Sequence, residues 1–364
     1  MNEAAGGSRG RIAASDVLTV GAAASLVHLA IFLTVVSLFH VSLPAYTDKG
    51  DGASYKHMAA ALLGQRGALD EYDARVFPGY PMLIAVTHLI TRLSIAASSL
   101  LVTFISAGAA AVLSAVVFQD RRVGWAVGLA LPHAWINMSL AMSEAPVLAL
   151  AMTGLLLARR NRAAAAGMIF GLSVLTRPVA GFALMGLLLD QIARGRARRG
   201  LLAAAWAALI FLLGMLIVHP ITGGLFHGIN VYANSPRTYA GQPFTWPTHS
   251  ILWMTLHGQV GWPRWIYITA HVAACVGGCI VLSRQNSPTD LLAFTWLALN
   301  TLFVLCLGLG PGAWGFNHFP RFTIPALPAL AYAWRRFLPA SPWLYIPLIA
   351  VLFYIGVVGV RASN

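Results

Sequence analysis

The chain has 364 residues, of which 58% are hydrophobic and only 10% are charged, and its mean hydropathy is +0.73. About a quarter of the residues in a soluble domain are charged, so this composition excludes an ordinary soluble domain and indicates an integral membrane protein. The net charge of +13 arises from short arginine clusters between apolar runs. Such clusters are typical of cytoplasmic loops, so we attribute the charge to membrane topology and expect no nucleic-acid partner.

Apolar runs of helix-spanning length recur along the chain and predict an all-α, polytopic bundle of about eleven transmembrane helices. The polar N-terminal segment MNEAAGGSRGR precedes a first run, 17–43, that is too long for a signal peptide. We therefore expect an uncleaved first span with a cytoplasmic N-terminus. The further predicted spans are 94–118, 123–139, 141–158, 163–176, 178–191, 200–219, 264–283, 290–310, 322–337 and 342–361.

We interpret residues 1–364 as a single membrane domain with three loops on its outer face. The first, 44–93, is expected to carry juxtamembrane helices, including a short apolar segment from Pro78 to Thr91 that lies at the interface or re-enters the membrane. The other two outer loops are 220–263 and 311–321. This topology predicts the plasma membrane of a bacterium, that is, its cytoplasmic membrane, with a site on the outer side.

Scarce charged residues converge on the outer boundary in this topology. Asp48 and Asp51 follow the first span, and Glu144 begins a later span. Arg177 and Arg321 reach the same depth from two other parts of the chain. Charged groups near a membrane interior line polar cavities or pair with each other. The set therefore predicts a site for an anionic, partly lipidic ligand, with a carboxylate available as a base.

Each of these residues also has a simpler interpretation. Asp48 is compatible with a solvated loop acid, and Glu144 with an acid that favours a helix N-terminus. Tyr55 and His57 are compatible with an interfacial helix that packs on lipid headgroups. No single residue therefore indicates a site; the site is indicated by the acids and arginines that meet on one face.

Two outer-loop residues are further candidates for substrate contact. His318 lies three residues before Arg321, and Arg237 belongs to the aromatic and polar loop YANSPRTYAGQPFTWPTHSILW, which is suited to bind a sugar or peptide acceptor. The histidines lack the HExxH or paired spacing of a zinc site, so we assign no metal ligand. The sequence also lacks a Walker motif and a Rossmann fingerprint.

Short landmarks in a fixed order resemble the GT-C superfamily of membrane glycosyltransferases. They are DGASYKHMA after the first span, then RVFPGYPMLIA, MSEAPVLAL, LTRPVAGFAL and PRFTIPALPALA. The chain is most similar to the group that contains dolichyl-phosphate-mannose protein mannosyltransferases and lipid A aminoarabinose transferases. FPGYP also resembles glycosylphosphatidylinositol mannosyltransferases. The resemblance covers roughly residues 17–335 and implies transfer of a hexose or pentose from a polyprenyl-phosphate carrier to an acceptor, usually with inversion.

The resemblance implies a role for the first-loop acid. Asp51, Tyr55 and Ala59 match a D-x-x-x-Y-x-x-x-A pattern in which the acid is the catalytic base. Many relatives have Asp-Glu where this chain has Asp51 followed by glycine, so Asp48 remains an alternative base.

The resemblance also implies roles for three residues in later parts of the chain. Glu144 matches the second acidic position, and Arg177 and Arg321 match positions that hold the donor phosphate. No cofactor is required, although a divalent cation that bridges the acids and the phosphate is compatible with these residues. The expected partners are membrane lipid, the polyprenyl-phosphate-linked donor and a lipid, glycan or protein acceptor.

A multispanning transporter or flippase of a lipid-linked or anionic substrate is the alternative, because it too would carry buried charges and broken helices. That class predicts inverted-repeat symmetry and charges at the middle of the bilayer. A noncatalytic scaffold would not explain why acids and arginines cluster at the outer boundary.

Overall fold

The regular structure is helical throughout the residues that the computed structural model describes, and they contain no strand beyond a single isolated bridge between Phe244 and Leu307. This finding confirms the predicted all-α class. The described ranges are 13–129, 132–234, 244–256, 262–285, 287–307 and 320–362.

The described residues contain five helices that are long and apolar enough to cross a membrane. They also contain shorter apolar helices. The five candidates are Ser15–Phe39, Ile95–Phe118, Ala197–Thr222, Trp265–Ser283 and Pro288–Cys306. The shorter apolar helices are Gly79–Thr91, Ala163–Thr176, Pro178–Ala193 and Pro347–Val358.

The segment 44–93, which the sequence predicts as the first outer loop, contains short helices, as expected. The long helix α1 ends where His40 takes a left-handed conformation with φ of 51°. Four short helices follow it, and the segment predicted from Pro78 to Thr91 is the last of them. These elements are α1 (Ala14–Phe39), α2 (Leu43–Thr47), α3 (Gly52–Leu62), α4 (Glu71–Ala74) and α5 (Gly79–Thr91).

The central part of the chain differs in detail from the predicted spans. Within the predicted span 123–139, the described residues are helical at Arg121–Leu129 and at Pro132–Ser139. The predicted span 178–191 starts with a 3₁₀ turn at Pro178–Ala180. The helices are α6 (Ile95–Phe118), α7 (Arg121–Leu129), α8 (Pro132–Ser139), α9 (Glu144–Arg159), α10 (Ala163–Thr176), α11 (Gly181–Ala193) and α12 (Ala197–Thr222).

The C-terminal part continues the helical pattern. Helix α12 extends three residues into the predicted loop 220–263, and that loop itself contains helical segments. The predicted span 322–337 corresponds to helical residues 320–333 with a 3₁₀ turn at Ile324–Ala326. The helices are α13 (His227–Asn234), α14 (His249–Leu256), α15 (Trp262–Ser283), α16 (Pro288–Cys306), α17 (Leu327–Ala333) and α18 (Ile346–Ala362).

Small residues bring the central helices close together. Helix α6 packs against α1, α7 and α9, while α10 packs between α9 and α12. A Cβ atom added to Gly167 of α10 would lie 2.3 Å from the carbonyl oxygen of Ala203 in α12. Close backbone approach at small residues is typical of helix packing in membranes. This packing places the start of α9 next to the end of α10, where the candidate site lies.

Candidate active site

A tight turn between α2 and α3 positions the carboxylate of Asp51. Gly50 adopts a φ of 63°, and a Cβ atom on Gly52 would lie 2.0 Å from the carbonyl oxygen of Thr47. The turn therefore requires glycine at both positions. Asp51 occupies the N-cap position of α3, yet its side chain makes no capping hydrogen bond. Its carboxylate is instead directed to arginines from other parts of the chain.

Glu144 is the first residue of α9, and its side chain is completely buried. The preceding residue, Ser143, shares a 2.8 Å hydrogen bond with the hydroxyl of Tyr55 from α3. This bond joins the first loop to the start of α9. It thereby fixes the position of Glu144 relative to Asp51.

The two predicted arginines come from helix ends. Arg177 follows α10 in an extended conformation, which is expected of a residue before proline. Arg321 lies at the start of the helical segment 320–333, which two polar side chains hold in place. The side-chain amide of Asn300 donates to the carbonyl oxygen of Phe322 at 3.3 Å, and His271 bonds the hydroxyl of Thr323.

Five charged side chains form one continuous ion-pair network. Arg321 joins the two acids: its Nη2 lies 2.8 Å from Oδ2 of Asp51, and its Nε donates to Oε1 of Glu144. Arg177 donates to the same Glu144 oxygen at 2.5 Å. Arg75 donates from Nη2 to Oδ1 of Asp51 at 2.6 Å. Both oxygens of Asp51 are therefore bonded by guanidiniums.

The network contains three guanidiniums and two carboxylates, so its formal charge is +1. Burial alone would raise the pKa of Asp51, but Arg321 and Arg75 outweigh it and hold this pKa below its usual range. Asp51 is therefore ionised at neutral pH. The second oxygen of Glu144, Oε2, is buried and accepts no hydrogen bond from any described residue. The arrangement has an unbalanced positive charge and one unused acceptor.

Arg75 is the member of the network that the sequence analysis missed. It directly precedes the VFPGYP segment and ends α4, 24 residues after Asp51. Its Nη1 donates to the carbonyl oxygen of Tyr72 at 2.6 Å, and its guanidinium lies 3.3 Å from the centre of the Tyr72 ring. A single arginine in a loop with several acids gives no spacing signal. Its place directly before the VFPGYP segment is the one feature of the sequence that could have identified it.

Several predicted residues lie apart from the network. Asp48, which is half exposed, pairs with Lys56 at 2.7 Å. His57 pairs with Asp73 at 2.6 Å. By contrast, the buried Tyr55 lies beside the network: its hydroxyl bonds the side chain of Ser143, and its backbone amide donates to the carbonyl oxygen of Asp51 at 3.1 Å. His318 and Arg237 lie outside the described residues.

The side chains that the structure describes include no group of three or more His, Cys, Asp or Glu residues placed to hold a metal ion. The charges around Asp51 and Glu144 are supplied by arginines.

A solved membrane enzyme shares this fold. The structure of ArnT from Cupriavidus metallidurans bound to undecaprenyl phosphate matches with a TM-score of 0.51 and 17% sequence identity, over 88% of this chain and 63% of that chain. This chain therefore spans less than two thirds of the length of that protein. No family model matches the sequence, and no curated protein sequence is significantly similar to it. The likeness confirms the predicted all-α membrane fold and shows that this chain shares it with ArnT.

Proposed function

We propose that this protein transfers a sugar from a polyprenyl-phosphate-linked donor to an acceptor hydroxyl. The observation that carries the proposal is the network in which Arg321 bonds both Asp51 and Glu144, with Arg177 and Arg75 beside them. The fold shared with ArnT, whose structure contains undecaprenyl phosphate, supports a carrier of the same chemical class.

The arginines suit the leaving group of this reaction. Cleavage of the bond between the sugar and the carrier leaves negative charge on the carrier phosphate. Guanidiniums bind phosphate through paired hydrogen bonds and stay charged at any physiological pH. Arg177 and Arg321 are placed side by side because both donate to one oxygen of Glu144. We assign them to the donor phosphate, and we assign Glu144 the role of holding them together.

Asp51 is assigned as the base. The acceptor oxygen attacks the anomeric carbon, its proton passes to Asp51, and the bond from the anomeric carbon to the phosphate oxygen breaks with its electron pair on the phosphate. One carboxylate suffices for such an inverting transfer. Asp48 is the less suitable base because it pairs with Lys56 and lies apart from the three arginines.

Arg321 links donor binding to the base. In the structure its Nη2 donates a hydrogen bond to Oδ2 of Asp51. A donor phosphate competes with this carboxylate for the same guanidinium, and a phosphate at physiological pH carries at least one full negative charge. Movement of Arg321 towards the phosphate frees Oδ2 and raises the basicity of Asp51. Arg75 continues to hold Oδ1, so the freed oxygen stays oriented.

We place the reaction on the outer face of a bacterial cytoplasmic membrane, with the N-terminus of the protein in the cytoplasm. The arginine clusters between spans support this topology, because cytoplasmic loops are enriched in basic residues. Polyprenyl-linked sugars presented on that face would reach Asp51 from within the lipid. The acceptor is a lipid, a glycan or a protein with a free hydroxyl.

Purified protein in nanodiscs should be incubated with a panel of radiolabelled polyprenyl-phosphate sugars and with lipid, glycan and peptide acceptors. We expect a labelled product and release of polyprenyl phosphate, together with loss of both in Arg321→Gln. A matched variant, Arg92→Gln, removes an exposed arginine at the end of α5 and should retain activity. The proposal fails if the wild type forms no product but moves the intact donor across liposome membranes, which would indicate a transporter.

A further inference from the structure

A second cluster of charge lies at the opposite ends of the helices that form the site. Helix α9 starts at Glu144 and ends at Arg159, and its 16 residues span about 24 Å. Helix α10 begins after Arg162 and ends before Arg177. The turns between α9 and α10 and between α11 and α12 therefore lie at the other end of the bundle. Seven arginines in these turns are here called the arginine face: Arg159, Arg160, Arg162, Arg194, Arg196, Arg198 and Arg199.

The two turns meet in space. Arg159 and Arg194 each lie 3.4 Å from the hydroxyl of Thr289, at the start of α16. Arg199 of α12 donates to the side-chain oxygen of Asn161 in the turn between α9 and α10. The arginines therefore form one surface rather than two separate loops.

Nearby acids leave most of this charge uncompensated. Asp190 is buried, and its carboxylate forms an ion pair with Arg194. The Nε and Nη2 atoms of Arg194 lie 3.0 to 3.1 Å from the two oxygens of Asp190. Asp290 accepts from Tyr332 at 2.9 Å and from the backbone of Ser287. Four exposed arginines of the face form no ion pair with any carboxylate that the structure describes: Arg160, Arg162, Arg196 and Arg198.

A shallow recess opens within the arginine face. Its volume is only about 10 Å³, which is room for about one water molecule, and its polar lining consists of Asn161, Gln191 and Arg199. Leu187 and Ala203 contribute to its apolar lining. A lipid headgroup would therefore lie on the arginines around the recess and not inside it.

The backbone favours an anion at the same place. The recess lies where α10 and α12 begin, and neither helix has a side-chain hydrogen bond at its N-cap. The first amide groups of these helices therefore lack side-chain acceptors, and the helix dipoles add positive potential. Guanidiniums and free amides together suit phosphate oxygens.

We propose that the arginine face binds the phosphodiester headgroup of an anionic phospholipid at its surface, centred on Arg199. Clustered basic residues at a membrane boundary attract anionic lipids. The ligand is thus a bulk membrane lipid at the end of the bundle remote from Asp51. This inference does not rest on the proposed sugar transfer.

The test measures lipid retention by the full-length protein. Protein in nanodiscs of phosphatidylcholine doped with phosphatidylglycerol should be released into the gas phase, and the lipids that remain bound should be counted by native mass spectrometry. We expect the wild type to retain phosphatidylglycerol preferentially. Arg162→Gln/Arg196→Gln/Arg199→Gln should reduce that preference by about tenfold.

Matched variants separate binding at the arginine face from general electrostatics and from misfolding. Arg196→Gln/Arg198→Gln removes only exposed arginines without a described carboxylate partner, so it should fold and still lose part of the preference. Arg92→Gln removes a charge at the site end and should retain the full preference. The proposal is overturned if Arg92→Gln loses as much as the triple variant, or if no variant changes retention. It is also overturned if soluble glycerol 3-phosphate displaces the bound lipid, because the ligand would then be a free phosphate.

Discussion

The Nη2 atom of Arg321 lies 2.8 Å from the Oδ2 atom of Asp51, although 270 positions separate the two residues in sequence. The same guanidinium donates through Nε to Glu144, so one arginine bonds both buried acids of the site. A side chain so placed can exchange one anionic partner for another without a change in the fold. The proposed use of Arg321 by a donor phosphate depends on this exchange.

Replacement of Arg75 by glutamine should alter the pH dependence of the reaction. Asp51 must be ionised to act as a base, and Arg75 is one of two guanidiniums that lower its pKa. The variant should therefore raise the pKa of Asp51, so that activity is lost at a higher pH as the solution is acidified. The acidic limb of the profile of kcat/KM against pH measures this shift.

A control for that variant lies in the same loop. Arg66→Gln removes an arginine that pairs with Asp73 at 3.3 Å and does not contact Asp51. Its acidic limb should coincide with that of the wild type. An unshifted limb in Arg75→Gln, or equal shifts in both variants, would contradict the assigned role of Arg75.

Replacement of Glu144 by glutamine should destabilise the protein. The substitution leaves Arg177 and Arg321 beside a neutral group, and removing one partner of a buried ion pair costs about 3 kcal/mol or more. Reversible unfolding in mixed micelles measures the change in the free energy of unfolding. Glu71→Gln, at an exposed position in α4, is the control and should have little effect. Equal stability of the two variants would show that Glu144 does not anchor the arginines.

Replacement of Gly52 by alanine should disrupt the turn that carries Asp51. The added Cβ atom would lie 2.0 Å from the carbonyl oxygen of Thr47, a backbone atom that cannot move independently. We expect a loss of about 2 kcal/mol or more in stability, together with loss of activity. Gly67→Ala is the control because a Cβ atom there meets nothing within 4 Å. Comparable melting curves for both variants would refute this account of the turn.

The sequence predicted the fold class well because hydrophobic run length is a strong signal in membrane proteins. It did not predict the continuation of α12 to Thr222. The length of a hydrophobic run does not report the local packing on which this extension depends. A proline inside α12, Pro220, did not end that helix, because neighbouring structure can compensate for the lost hydrogen bond.

The candidate site was predictable only in part. The sequence identified four of its members because charged residues are rare near a predicted membrane boundary and indicate a polar site there: Asp51, Glu144, Arg177 and Arg321. The structure brings these four side chains together. Asp48 was expected beside them, but the C-terminal end of α2 directs it to Lys56 instead. Asp48 and Asp51 are three residues apart, and the turn between α2 and α3 determines which of the two faces the arginines.

The most direct test of the central claim compares Asp51→Asn with Asp48→Asn. Both variants remove one carboxylate from the turn between α2 and α3, but only Asp51 contacts the arginine network. Single-turnover transfer from a polyprenyl-phosphate sugar should fall at least about 100-fold in Asp51→Asn, with donor binding retained. Asp48→Asn should stay within about twofold of the wild type because its carboxylate is half exposed and does not contact the arginines of the network. Equal turnover in the wild type and Asp51→Asn, or a selective loss in Asp48→Asn, would contradict the assignment of Asp51 as the base.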